Sequence, residues 1–146
     1  MSKRTIEQEL NRTGRILRTT VGVSMEPMLK NRKNIVILVK AENLLKKYDV
    51  ALYKRPNGQY VLHRVLKVRE KDYIICGDNC WKKEVVPHEW VLAYMSGFYK
   101  NGRLIYPDNE KYQKYIKTIG IRRKKLWLKA MIKAVIRRIK RIFHEK

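Results

Sequence analysis

The stretch DVALYKRPNGQYVLHRVLKV, Asp49–Val68, decides how the chain is read. Two apolar runs, Asp49–Lys54 and Gln59–Val68, flank Arg-Pro-Asn-Gly. Asn-Gly supplies positive φ for a tight turn, so the pair predicts a β-hairpin. In the second run Val61, His63 and Val65 share one face, and Leu62, Arg64 and Leu66 share the other. Outward from the hairpin, Asn34–Val39, Asp72–Cys76 and Glu89–Lys100 read as further strands. Turn signals stand at Cys76–Asn79 and Lys100–Gly102. Many short strands between Gly, Asn and Pro turns predict a mainly β fold, a distorted barrel or sandwich, over residues 21–108.

The flanks differ from this core. Residues 1–20 read as a short basic amphipathic helix in which Ile6, Leu10, Ile16 and Leu17 share a face, with Gly14 a weak spot. The plainer reading is a partly ordered leader. Residues 110–146 hold 14 Lys and Arg against 2 acidic residues. From Lys124 to Phe143, Leu128, Ile132, Val135, Ile139 and Ile142 recur at helical spacing, while Lys129, Lys133, Arg137 and Lys140 take the other face. That is a basic amphipathic C-terminal helix.

The length of 146 residues suits one core, and the net charge of +22 asks for an anionic partner. For the tail, the leading expectation is an anionic membrane surface contacted through residues 121–146, with Trp127 and Phe143 at the interface. Packing on the β domain or on a partner protein is the alternative. Nucleic acid ranks last, since nothing resembles a helix-turn-helix or a zinc finger. No run approaches the roughly 18 apolar residues of a membrane span, and the N-terminus has no apolar signal core. The expected location is therefore cytoplasmic or peripheral to the cytoplasmic membrane. Cys76 and Cys80 lack a second Cys/His pair at suitable spacing, so they read as thiols rather than metal ligands.

Chemistry is suggested by Thr19–Leu29, TTVGVSMEPML, where Ser24 follows a Gly-Val turn. A nucleophilic serine needs a base within reach and often a third group to orient it. His144 lies in the charged tail and His88 follows Pro87 in a loop. His63, between two valines on its strand face, is expected to be partly buried and hence neutral, which suits a general base. The plainer reading is a satisfied core or edge histidine. Asp78 sits in a Gly-Asp-Asn turn, where Asp is favoured for backbone reasons alone. Glu84 follows six residues later.

Taken in order, GVSMEPML, KKYDVALYKRP, YVLHRVLKV and ICGDN resemble the type I signal peptidase family and its wider clan, which includes the self-cleaving SOS repressors. The resemblance covers about Gly22 to Phe98. It implies that Ser24 is the nucleophile. It also implies that His63, followed by Arg64 and Val65 as in the endoplasmic-reticulum-type members, is the base in place of the bacterial lysine. Gly77-Asp78-Asn79 matches the third box, and either Asp78 or Glu84 orients His63. Gly22 stands where the family often carries a hydroxyl donor to the oxyanion, which shifts that work toward the Ser24 N–H. Met25 and Leu29 are expected below the site as part of its apolar surface.

The implied function is a serine endopeptidase that cleaves a signal or leader peptide from a preprotein, without metal or organic cofactor. Activity is expected to rise between roughly pH 6 and 7.5. Unlike most signal peptidases the chain shows no N-terminal membrane span, which suggests a dedicated precursor. Two alternatives stand beside this: a self-cleaving regulator of the same clan, for which about 20 residues ahead of the serine are too few for a DNA-binding domain, and a catalytically inactive basic module that binds membrane or nucleic acid.

Overall fold

A computed structural model describes residues 4–144; residues 1–3 of the N-terminal segment and the last two residues of the 121–146 tail lie outside the described residues. The chain opens with helix α1, Ile6–Thr13. Thr5 caps it by accepting from the Gln8 N–H, while the Gln8 side chain reaches back to the Thr5 N–H, a reciprocal capping box. Gly14, at φ +69°, ends the helix with its N–H on the Leu10 carbonyl. The expected helix to residue 20 therefore stops early. Arg15–Thr19 is instead strand β1, because its backbone pairs antiparallel with strand β2, Ile35–Lys40. Ile16 is buried and Leu17 exposed, the alternation of a strand and not the shared face of a helix.

The hairpin forms between β3, Val50–Lys54, and β4, Tyr60–Val68, with Tyr53 opposite Val61 and Ala51 opposite His63. In its loop Gly58 alone takes positive φ, and its N–H reaches the Arg55 carbonyl. The turn is thus a three-residue loop closed by a left-handed glycine. β5 is Asp72–Cys76, and β6, Glu84–Pro87, is a short strand that the sequence pattern had not marked. A single 3-10 turn, His88–Trp90, leads into β7, Val91–Lys100, and Asn101-Gly102 turns the chain into β8, Arg103–Ile105.

The strands form one antiparallel sheet in the order β1-β2-β7-β3-β4-β5-β6, with β8 added on β7. The fold is mainly β, as expected, but the sheet is not closed into a barrel, because β1 and β6 remain separate edges. Alternation along β3 feeds two cores. Val50 and Leu52 join a cluster with Leu10, Met25, Leu29 and Ile116, while Ala51 and Tyr53 join Val65, Tyr73, Ile75 and Val86. Each fully buried aliphatic side chain contributes about 1.5–3 kcal/mol relative to exposure.

Helix α2 runs unbroken from Glu110 to His144. Its first turns belong to the domain, since Tyr112, Ile116 and Ile119 are buried in the same cluster as Leu10. Beyond residue 120 most of its apolar residues are exposed, Leu128, Ile132, Val135, Ile139 and Ile142 among them. The helix is longer at its N-terminal end than the Lys124–Phe143 expectation, because tyrosine and isoleucine anchors carry it onto the sheet. Among the described residues no helix is long and apolar enough to cross a membrane.

Candidate active site

Ser24 lies in the irregular turn between β1 and β2. Gly22 precedes it at φ +91°, a conformation that residues with a side chain rarely adopt, and its N–H is held by the Asn31 side chain at 2.9 Å. The missing hydroxyl at this position has a backbone cause: a serine or threonine there would be strained whatever the space around it. The turn is footed on Met25 and Leu29, both buried, with the Leu29 N–H on the Met25 carbonyl. Among the described residues the Ser24 N–H has no hydrogen-bond acceptor, so it is free to face a developing oxyanion.

Gly77 brings the distant pieces together. A Cβ built there would stand 2.6 Å from the Ser24 carbonyl oxygen, 3.0 Å from Cys80 Sγ and 3.1 Å from His63 Nε2. Only a residue without a side chain fits where the turn, the strand and the loop converge. Asn79 then ties the loop to the Ser24 turn, its N–H on the Ser24 carbonyl at 2.8 Å and its Nδ2 on the Val23 carbonyl at 3.2 Å. Ser24 and His63 line one cleft of about 550 Å³, walled by Val23, Met25, Leu38, Leu52 and Leu62. Among the described residues no hydrogen bond joins the Ser24 hydroxyl to His63 directly.

His63 is half-buried on the face it shares with Val61 and Val65. Burial pushes its pKa below the usual imidazole value, the charge of Arg55 adds to this, and Glu84 and Asp78 oppose it. The imidazole is accordingly held toward its neutral form. Its Nδ1 lies 3.4 Å from the Tyr53 hydroxyl.

The two candidate acids have different engagements. Asp78 is buried, and both its oxygens are gripped at 2.7 Å by Arg64, which is itself fully buried. Tyr115 donates a further hydrogen bond to Asp78 at 3.0 Å, while Arg64 also donates to the Tyr48 carbonyl and the Tyr112 hydroxyl. Burial works against the Arg64 cation, but Asp78 more than restores it. Glu84, half-exposed on β6, pairs with Arg55. Burial draws Glu84 upward, yet the hydrogen bonds from Arg55, helped by the Tyr53 hydroxyl, leave its pKa below the ordinary carboxylate value. Arg64, Tyr53, Tyr112 and Tyr115 are site residues that the sequence reading missed. The helical spacing of the last two was their only local signal.

Cys76 is buried, with its thiol pushed up to about 11 by burial and by Cys80 nearby. The described residues include no cluster of three or more His, Cys, Asp or Glu able to hold a metal. No protein-family model matches this sequence, and no curated protein matches it.

Proposed function

We propose that the chain is a serine endopeptidase of the signal peptidase type. Ser24 attacks the scissile carbonyl, His63 Nε2 takes the hydroxyl proton and later returns it to the leaving amine, and the Ser24 N–H faces the oxyanion. The observation that carries this reading is the convergence of the Ser24 turn and His63 Nε2 on Gly77, in one apolar cleft. The resemblance of the four sequence boxes to signal peptidases adds to it.

Edge strand β1 has one free side, and its Arg18 and Thr19 lie at the cleft. A leader peptide pairing along this edge reaches Ser24 in extended form. A serine-directed fluorophosphonate probe tests the reading: labelling of the wild type that disappears in Ser24→Ala and His63→Ala supports it. No labelling of the folded wild type, together with no cleavage of leader peptides, removes it and leaves a catalytically inactive scaffold.

The same reading places the enzyme on an anionic membrane surface. On the exposed part of α2, residues 121–144 hold ten Lys and Arg and no acidic residue. Leu128, Ile132, Val135, Ile139 and Ile142 form an uncovered apolar stripe. A stripe flanked by cations fits the boundary between headgroups and acyl chains. Phosphate alone, as on nucleic acid, would leave the stripe in water.

A further inference from the structure

Tyr53 is fully buried, on the same face of the hairpin as His63. The register makes them diagonal neighbours, since Tyr53 stands opposite Val61 and His63 opposite Ala51. Their rings meet edge-on at 64°, with centroids 6.3 Å apart, and the phenol oxygen is 3.4 Å from Nδ1. The charge of Glu84, a carboxylate that Arg55 holds in place, acts on the same phenol. Burial, followed by the charge of Glu84, raises the phenol pKa and keeps its proton on. Asp78 is engaged by Arg64 and Tyr115, and among the described residues no carboxylate makes a hydrogen bond to the imidazole.

We propose that Tyr53 is the positioning residue for His63: its hydroxyl oxygen accepts the Nδ1–H while its own proton is directed to Glu84, leaving Nε2 bare on the Ser24 side. The arrangement replaces the usual carboxylate partner of a catalytic histidine by a neutral phenol, with the negative charge one group further away. During catalysis the proton from Ser24 goes to Nε2 and stays on the imidazole until the leaving amine takes it. Tyr53 keeps its own proton throughout. The phenol fixes the tautomer, and Glu84 supplies the longer-range attraction that steadies the imidazolium. Tyr53 touches the ring at Nδ1, and the charges that act on it are those of Glu84, Arg55 and Asp78. The catalytic consequence rests on the peptidase reading, but the tautomer does not.

The test is nitrogen NMR of the labelled full chain at about pH 8, well above the free imidazole pKa. His63 is assigned by the signals lost in His63→Gln. The expected wild-type signature is a protonated Nδ1 with a bare Nε2. In Tyr53→Phe that preference is lost, and fluorophosphonate labelling of Ser24 slows by about tenfold or more. Glu84→Gln keeps the tautomer but moves the His63 titration to lower pH. A wild-type ring protonated on Nε2 overturns the proposal, and this measurement stands even where Tyr53→Phe fails to fold. So does a folded Tyr53→Phe with an unchanged tautomer. A tautomer that moves in a chain whose Ser24 never labels supports the role of Tyr53 and removes the peptidase reading instead.

Discussion

Arg64 holds both carboxylate oxygens of Asp78 at 2.7 Å, and both side chains are buried. A buried pair of this kind is costly to break from one side, because the surviving charge is stranded. Asp78→Ala is expected to destabilise the fold by about 3–5 kcal/mol. Urea unfolding measures the loss, and a double-mutant cycle with Arg64→Met should return a coupling above roughly 1 kcal/mol. The milder Asp78→Asn should leave the His63 tautomer unchanged; a changed tautomer would show that Asp78, and not Tyr53, orients the ring.

Labelling of Ser24 should survive to lower pH than an ordinary imidazole base allows. Burial lowers the His63 pKa, so the neutral form persists below about pH 6.5. The half-maximal point is expected below that value. A midpoint at or above pH 7 argues against His63 as the base.

The same shift has a stability consequence of definite sign. The unfolded chain takes up the His63 proton near pH 6.5, before the folded chain does. Stability is therefore full above that pH and declines as pH falls toward the lower folded value. Replacing His63 by Gln should flatten this part of the urea-midpoint profile.

Gly77→Ala is expected to abolish Ser24 labelling. The added Cβ meets the Ser24 backbone oxygen at 2.6 Å, and backbone cannot swing aside as a flexible side chain can. Either the turn or the loop must shift, and the Asn79 N–H bond to Ser24 is lost with it. Wild-type labelling in Gly77→Ala would show that the site does not need this close approach.

The distal half of α2 should account for membrane binding. Full chain is expected to pellet with phosphatidylglycerol-containing vesicles, less so at 0.5 M salt, where the Debye length shrinks to roughly 4 Å. A chain ending at residue 120 keeps Tyr112, Ile116 and Ile119 in the core but should stay in the supernatant. Changing Leu128, Ile132 and Ile139 to Gln keeps every cation and should still weaken pelleting. Equal pelleting of all forms removes the anchoring role.

How far these features could be read in advance varies with the range of the contact. The face shared by Val61, His63 and Val65 was legible, because period two is a local property and both valines are buried. The Gly58 turn was legible for the same reason. Strand β1 was not: adjacent Ile16 and Leu17 suit a helix or a strand, and pairing with Ile35–Lys40 settles the matter. The grip of Arg64 on Asp78 spans 14 residues and that of Tyr115 on Asp78 spans 37, so no spacing rule could announce them. Open sheet versus barrel depends on whether β1 and β6 meet, which is likewise a long-range event.

The order of the sheet also governs when the site can exist. β2 and β3 follow one another in the chain but do not pair; β7, which is made much later, sits between them. The Ser24 turn hangs on the β1–β2 side of that gap and His63 on the β3–β4 side. Formation of such non-local pairings is slow, because loop closure precedes the contacts that reward it. A nascent chain still lacking Val91–Lys100 holds Ser24 and His63 on two separate hairpins, so their meeting in one cleft awaits the insertion of a single late strand.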